Sequence, residues 1–393
     1  MSNDIIQKAD QVIAKTYKRF PIVIVRGKGC TLWDTEGRSY IDFVAGIAVC
    51  NLGHAHPRVS KALSKQADTL LHVSNLYYTK PQVELATWLT ENSFADRAFF
   101  GNSGAEANEA AIKLARKYFK ENGESKRYRI ISMEKSFHGR TIATLSATGQ
   151  DKIKKGFEPV LEGFDYVPFN DIDALRNKID PVTCAVLIEP IQGEGGVRCP
   201  GPEYLKAVRQ TCDQTGVLLI FDEIQTGMGR TGKLFAYEHF GIEPDIMTLA
   251  KALGNGLPIG AMLAKEHVAD AFGPGSHAST FGGTPVITAA SLEVVKVLSE
   301  ENVIEHCLNV GAYFKERLLG LKKKHASIAD VRGIGLLLGM KLKIEGDPIV
   351  TVCMQKGFLI NCIQGNILRF IPPLTIKEEE IDALVACLDE VLD

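Results

Sequence analysis

Two apolar segments that read as buried strands end in side chains capable of covalent and acid–base chemistry. Residues 246–250 lead into Lys251, and Gly254-Asn255-Gly256 follows it. Residues 217–221 lead into Asp222. A lysine at the end of an apolar segment is partly desolvated, which lowers its pKa and makes its amine a nucleophile. A carboxylate beyond a strand's carboxyl end can pair with a protonated ring nitrogen. The two side chains together indicate a flat cofactor with an aldehyde and a ring nitrogen, although each alone could be structural.

A third segment has the pattern of a phosphate site. Residues 101–108 follow a short predicted strand and open a predicted helix. Free N–H groups at a helix N-terminus attract phosphate, Ser103 can add its hydroxyl, and Gly104 permits close approach of the backbone. A plain turn with a serine cap is the alternative reading.

Two further segments carry groups suited to a planar, anionic ligand. Phe137 could stack on a ring and Arg140 could bind a carboxylate, although core packing and a surface ion pair would also explain them. Ser279 and Thr280 lie in a loop of small residues, where their hydroxyls could reach a phosphate or carboxylate. An ordinary loop before the helix at Pro285 is the alternative.

Composition excludes several other classes of function. The 393 residues are 45% hydrophobic and 23% charged with a net charge of −2, so we expect no nucleic-acid partner. We expect no membrane association, since no secretory signal and no spanning apolar run is found. The nine cysteines include no C-x-x-C pair, so no metal site is expected and a cytoplasmic location fits best.

The order of elements predicts an α/β fold. A helix is predicted over the first twenty residues, followed by three short strands near residues 22–43. Continuous apolar strands then alternate with helices, which indicates a mostly parallel sheet buried on both faces. The tail mixes strands and helices. We therefore predict a large central domain at 58–290 and a smaller α+β domain formed by 1–57 and 291–393.

In this order and spacing, the motifs make the chain resemble the class III aminotransferases, fold-type I enzymes that use pyridoxal 5'-phosphate. The resemblance covers almost the whole chain. It rests on the following motifs: Gly53-His54-Ala55-His56-Pro57, Asn102-Ser103-Gly104-Ala105-Glu106-Ala107, Phe137-His138-Gly139-Arg140, Glu189-Pro190-Ile191-Gln192-Gly193-Glu194-Gly195-Gly196, Asp222-Glu223-Ile224-Gln225 and Ala250-Lys251-Ala252-Leu253-Gly254.

The resemblance implies a set of cofactor contacts. Lys251 would hold the cofactor covalently and Asp222 would pair with its ring nitrogen. The other implied cofactor-binding residues are Ser103, Gly104 and Ala105 at the phosphate, Phe137 stacked on the ring, Gln225 near the ring oxygen, and Ile224. Thr280 would complete the phosphate site of a partner subunit, so the resemblance also implies a homodimer.

Within the class, the chain is similar to members that transaminate N2-acetylornithine with 2-oxoglutarate, giving glutamate, in arginine biosynthesis. The resemblance places Arg140 and Ser279 against the acylated substrate and Arg369 against the α-carboxylate of glutamate or 2-oxoglutarate. Glu194 would pair with Arg369 until a dicarboxylate arrives. Ala105 replaces a threonine of many relatives.

Other substrates of the same class remain open. Ile47 replaces the substrate-binding tyrosine of ornithine aminotransferases, which argues against free ornithine. Succinylornithine, N-succinyl-diaminopimelate and 4-aminobutyrate are alternatives, because small pocket changes shift preference by only about 1–3 kcal/mol. An aminomutase of the same fold is a further alternative. A non-catalytic relative is disfavoured, since Lys251 and Asp222 are both present.

Overall fold

The computed structural model describes residues 2–392, which form fifteen strands, fourteen α-helices and three short 3-10 turns. The helices are α1 (Ser2–Val12), α2 (Ala45–Ala48), α3 (Pro57–Ala67), α4 (Lys80–Glu91), α5 (Gly104–Glu121), α6 (Ile142–Ala147), α7 (Asp151–Lys154), α8 (Ile172–Lys178), α9 (Tyr204–Thr215), α10 (Glu266–Ala269), α11 (Pro285–Glu300), α12 (Val303–Lys324), α13 (Asp347–Gln355) and α14 (Glu378–Leu392).

The strands fall into three sheets. They are β1 (Ile24–Lys28), β2 (Thr31–Asp34), β3 (Ser39–Asp42), β4 (Arg97–Gly101), β5 (Arg129–Met133), β6 (Phe164–Val167), β7 (Thr183–Ile188), β8 (Leu218–Asp222), β9 (Ile246–Leu249), β10 (Gly260–Ala264), β11 (Ile328–Ile334), β12 (Leu337–Leu342), β13 (Phe358–Leu359), β14 (Asn361–Ile363) and β15 (Ile367–Phe370).

The large sheet has the order β4-β10-β9-β8-β7-β5-β6. Only β10 runs antiparallel to its neighbours, which confirms the predicted mostly parallel sheet. Every residue of β7, β8, β9 and β10 is buried. Burial of both faces explains why these strands read as continuous apolar runs in the sequence.

The register of this sheet brings the two predicted reactive strand ends together. Asp222, the last residue of β8, lies opposite Thr248 of the parallel neighbour β9. Lys251 follows three residues later, in a short 3-10 turn that begins beyond the end of β9. The carboxyl ends of adjacent parallel strands are where α/β sheets bind ligands.

The two chain ends pair with each other in the smaller sheets. The predicted N-terminal meander is present as β1, β2 and β3, and β13 from the C-terminal part adds to β3 in parallel. The remaining sheet, β11-β12-β15-β14, is antiparallel. This pairing supports a smaller domain built from both ends, while the boundaries after residues 57 and 290 stay predictions.

The first helix is shorter than its pattern indicated. We predicted a helix over the first twenty residues, whereas α1 ends at Val12 and buries none of its residues. With no buried face, the helix gains little from packing, which supplies most helical stability in proteins. None of the helices in residues 2–392 combines the length and apolarity needed to cross a bilayer.

A left-handed turn precedes α3 and is held by one carboxylate. All four residues of α2 have positive φ, from 50° at Ala45 to 69° at the β-branched Ile47. Asp42 Oδ1 accepts hydrogen bonds from the backbone N–H groups of Val44 and Ala45 at 2.8 and 2.9 Å. Its Oδ2 lies 2.8 Å from Nε2 of His54. The buried carboxylate thus offsets the strain of an unfavourable backbone conformation.

The bond between His54 and Asp42 predicts a pH dependence of folding. The hydrogen bond to Asp42, aided by Cys50 and opposed by partial burial, raises the pKa of His54 to about 9. Because this exceeds the unfolded value of about 6.5, the stabilisation is complete below pH 6.5 and lost as pH rises through 9. Between pH 6.5 and 9, we expect the free energy of unfolding of the wild type to fall by about 1–3 kcal/mol more than that of His54→Gln.

Urea unfolding at pH 6, 7.5 and 9 measures this difference. His267→Gln on the exposed surface of α10 is the matched control and should follow the wild-type curve. Parallel curves for wild type and His54→Gln would show that the ion pair does not stabilise the turn.

Candidate active site

A cavity of about 470 Å³ opens at the carboxyl ends of the central strands. Its walls come from the β4–α5 turn, the loop after β5, the segment after β7, and the ends of β8 and β9. Ten of the predicted site residues line it: Ser103, Gly104, Ala105, Phe137, Arg140, Glu194, Asp222, Ile224, Gln225 and Lys251. The sheet therefore brings together side chains that are up to 148 positions apart in the sequence.

Lys251 projects into this cavity from a strained backbone position. Its φ is +44°, in the left-handed region that non-glycine residues rarely adopt. The residue is partly accessible, through the cavity, and burial of the amine lowers its pKa. The carboxylate of Glu194 opposes that shift, and the Arg369 guanidinium adds to it. A buried amine with a lowered pKa is suited to nucleophilic attack and to proton transfer.

Asp222 is 4% exposed and is held by three donors. Its Oδ2 accepts from Asn108 Nδ2 and His138 Nδ1, both at 2.8 Å, and its Oδ1 accepts from the backbone N–H of Ile224 at 3.1 Å. A carboxylate offers about four acceptor positions, so one position is left for a ligand in the cavity. The sequence left the role of His138 open; here its ring pairs with Asp222.

The N-terminus of α5 forms a tight cradle. Ser103 is the N-cap, and its hydroxyl accepts from the backbone N–H of Glu106 at 3.2 Å. A Cβ added to Gly104 would lie 2.7 Å from Cδ1 of Ile224, so only glycine lets the two elements approach this closely. The first backbone N–H groups of the helix have no partner within the helix. With the Glu106 N–H bound to Ser103, those of Gly104 and Ala105 remain available to an anion.

A ring and a guanidinium lie on the same side of the cavity. The Arg140 guanidinium lies 5.6 Å from the centre of the Phe137 ring, and the Arg140 side chain is exposed.

Glu189 is a buried carboxylate that also lines the cavity. The backbone N–H of Phe137 donates to one Glu189 oxygen at 3.1 Å, and that of Gly193 donates to the other at 3.2 Å. Burial raises the pKa of Glu189 to about 7. Sequence reasoning assigned no role to Glu189, which resembles any acidic residue after a strand.

Arg369 lies behind the cavity wall and forms a buried ion pair. It is 1% exposed, and its Nη1 donates to Glu194 and, at 3.3 Å, to Gln225 Oε1. Although burial raises the pKa of Glu194, the cations Arg369 and Lys251 outweigh burial, and the net shift is downward. With the Asn361 amide turned so that its oxygen faces the guanidinium, that oxygen accepts from Nη2 at 2.9 Å. A ligand carboxylate that displaced Glu194 would meet an oriented guanidinium.

Ser279 and Thr280 do not line this cavity. They line a neighbouring cleft, in which Asn102 Nδ2 donates to Ser279 Oγ at 3.1 Å, and Thr280 is exposed. The structure thus brings ten predicted residues together directly and Arg369 through Glu194. Ser279 and Thr280 stay outside the chain's own cavity.

The residues present fit pyridoxal 5'-phosphate. The cavity offers a desolvated amine, an anchored carboxylate with a free acceptor position, a helix N-terminus shaped by glycine, and an aromatic ring. Within residues 2–392, no group of three or more His, Cys, Asp or Glu side chains is arranged to hold a metal ion.

Comparisons with known proteins agree with this geometry. A family model described as "Aminotransferase class-III" matches residues 12–392. An acetylornithine aminotransferase of Caldanaerobacter subterraneus subsp. tengcongensis is 54% identical, with 96% of each chain covered. An ornithine aminotransferase structure from Toxoplasma gondii, described with partial occupancy of PLP at its active site, gives a TM-score of 0.96 at 35% identity, covering 100% of this chain and 94% of that chain. The acetylornithine aminotransferase structure from Elizabethkingia anophelis gives 0.89 at 34%, covering 100% and 98%.

Proposed function

Because the chain belongs to the class III aminotransferase family, we propose that it transfers the amino group of N2-acetylornithine to 2-oxoglutarate. The products are N-acetylglutamate 5-semialdehyde and glutamate, and the reaction belongs to arginine biosynthesis. The observation that carries this proposal is the cavity in which Lys251 and the anchored Asp222 face the N-terminus of α5. The high identity to a relative named acetylornithine aminotransferase supports the choice of donor.

The family cofactor is pyridoxal 5'-phosphate, which supplies, when bound, an aldehyde that reacts with amines and a cationic ring that accepts electrons. Lys251 would hold it covalently through its amine. Asp222 would accept the ring N–H at its free acceptor position and keep that nitrogen protonated. Ser103, Gly104 and Ala105 would bind the phosphate, chiefly through backbone N–H groups, since Ala105 contributes no hydroxyl.

The remaining cavity residues would orient the cofactor and move the proton. Phe137 and Ile224 would contact the ring faces, and Gln225 would lie near the ring oxygen. Lys251 is the general base and acid: its lowered pKa leaves a neutral fraction of the amine able to take a proton from the substrate carbon and return it. Its neighbours Glu194 and Arg369 tune that pKa in opposite directions.

Substrate selection would rest on two guanidinium groups. Arg369 would bind the α-carboxylate of 2-oxoglutarate or glutamate after Glu194 releases it. Arg140 would contact the acylated donor in this cavity, whereas Ser279, which lies outside it beside Thr280, would contact the donor bound to a partner subunit. Val49, two residues after Ile47, lines the cavity and offers apolar surface, which suits a neutral acylated nitrogen better than the free α-ammonium of ornithine.

Lys251→Ala is expected to lower kcat by at least about 10³-fold, because it removes both the covalent anchor and the proton-transferring amine. A coupled assay of glutamate formation from N2-acetylornithine and 2-oxoglutarate measures the loss. Lys323→Ala, an exposed lysine near the end of α12, is the control and should match the wild type. Wild-type turnover by Lys251→Ala, with an unchanged absorbance band near the visible edge, would refute the assignment.

A donor screen with 2-oxoglutarate tests the substrate. We expect kcat/KM for N2-acetylornithine to exceed that for ornithine, N-succinyl-diaminopimelate or 4-aminobutyrate by about tenfold or more. A single difference in the contacts of a binding pocket changes kcat/KM by about this factor. Succinylornithine belongs in the same screen. A different preferred donor would contradict the proposed substrate but would leave the reaction class, transamination, unchanged. Turnover without added 2-oxoglutarate would instead indicate an aminomutase.

The protein is further proposed to act as a homodimer in which Thr280 reaches the partner's cofactor phosphate. Thr280 lies beside a segment with unusually exposed apolar side chains, including Leu76 at 81% and Tyr78 at 98%. The two segments are tied by Asn75 Nδ2, which donates to the backbone oxygen of Gly282 at 2.9 Å. An exposed apolar patch of this kind is typical of a protein interface.

We also propose a cytoplasmic location. All nine cysteines are free, in keeping with this proposal.

Tyr78→Glu tests the dimer, because a buried unpaired carboxylate at the interface would weaken association. Sedimentation should give a dimer for the wild type and a monomer for Tyr78→Glu, which should also retain less cofactor after dialysis. Ile344→Glu, at an exposed apolar side chain of the C-terminal part, is the control. A monomeric wild type with full activity would contradict the shared site.

A further inference from the structure

Two buried polar side chains lie behind the cavity wall and touch none of its space. Asn108 on α5 and Thr248 on β9 are both 0% exposed, and neither lines the cavity. The Thr248 hydroxyl donates to Asn108 Oδ1 at 2.7 Å, and Asn108 Nδ2 donates to Asp222 Oδ2 at 2.8 Å. A continuous hydrogen-bonded path therefore runs from β9 through α5 to the carboxylate at the end of β8.

The Asn108 amide can take only one orientation in this setting. Its Nδ2 donates to the backbone oxygen of His138 at 2.8 Å as well as to Asp222, which uses both of its protons. The reversed amide would turn its oxygen toward a carboxylate and a carbonyl, both acceptors. The amide oxygen therefore faces Thr248. Without the Thr248 hydroxyl, this buried oxygen would lose its hydrogen-bond donor, which destabilises the arrangement.

The path also links the parts of the site that must keep a fixed separation. Asn108 lies four residues, about one helical turn, after Gly104, so it is on the same face of α5 as the anion cradle. Thr248 lies opposite Asp222 in the sheet and three residues before Lys251. One amide thus connects the helix that binds the phosphate, the strand that carries the carboxylate, and the strand that leads to the amine.

We propose that Thr248 is a positioning residue that acts through the Asn108 amide to hold the Asp222 carboxylate in line with the ring nitrogen of the cofactor. The inference rests on the proposed function of the cavity. Thr248 contacts neither cofactor nor substrate, so its effect is exerted on the alignment and protonation of the ring nitrogen, and substrate contacts stay unchanged.

Thr248→Val and Thr248→Ser separate this role from simple packing. Valine keeps the shape and removes the hydroxyl, whereas serine keeps the hydroxyl and removes a methyl group. In the holoenzyme, Thr248→Val should retain cofactor about 5- to 100-fold more weakly in equilibrium dialysis and lose kcat by a similar factor, the range expected for an unpaired buried acceptor. The pH at which the bound cofactor's absorbance changes should also move. Thr248→Ser should have a cofactor affinity and a kcat within about threefold of the wild-type values. Its absorbance change should occur within about half a pH unit of the wild-type pH.

Four outcomes are decisive. If Thr248→Val keeps wild-type cofactor affinity and absorbance–pH profile, or if Thr248→Ser is as impaired as Thr248→Val, the positioning role is wrong. Melting curves of both variants stripped of cofactor identify a folding defect, and a Thr248→Val protein that melts with the wild type yet binds cofactor weakly supports the role. A wild type that binds no pyridoxal 5'-phosphate would sink the proposed function itself, which distinguishes the two failures.

Discussion

The buried carboxylate of Asp222 is the interaction on which the rest of the site depends. An isolated carboxylate taken out of water costs several kcal/mol, and only specific donors offset that cost. Here the donors are Asn108 from α5, His138 from the loop after β5, and the backbone of Ile224 in the turn after β8 itself. The carboxylate is fully hydrogen-bonded by the protein only when all three segments are in place, so the site depends on the packing of α5, the loop after β5 and the turn after β8.

A second constraint is the balance of charge around Lys251. Burial alone favours a neutral amine, the guanidinium of Arg369 acts in the same direction, and the carboxylate of Glu194 acts against both. Because Arg369 is almost fully buried, it needs a carboxylate partner whether or not substrate is bound. Glu194 supplies one in the free protein. A substrate with a suitably placed carboxylate could replace it without leaving the guanidinium unpaired, whereas a substrate lacking one could not.

The parts of this arrangement that the sequence could predict are those encoded locally. Continuous apolar runs predicted the parallel strands, and the polar residues at their ends, Asp222 and Lys251, predicted the location of the site. Asn108, Thr248 and Glu189 could not be recognised in this way, since a polar residue within a helix, within a strand or just after one has many ordinary explanations. Their roles depend on contacts between residues 30 to 140 positions apart. The helix predicted at the N-terminus was too long, because the apolar pattern of the sequence does not reveal that α1 has no buried face.

The two ends of the site are built on different kinds of structure. The cofactor end rests on buried strands and the first turns of α5, where a shift of any element would break several hydrogen bonds at once. The cavity is also lined by Val49, which directly follows the left-handed turn of Ala45–Ala48. Asp42 holds the backbone of this turn, which carries the exposed Ile47 at φ +69°. A substitution at Val49 would change the apolar surface of the cavity without replacing a residue of the large sheet. In the proposed function, preference for one amine over another could therefore change while Asp222 and Lys251 keep their positions at the ends of the buried strands.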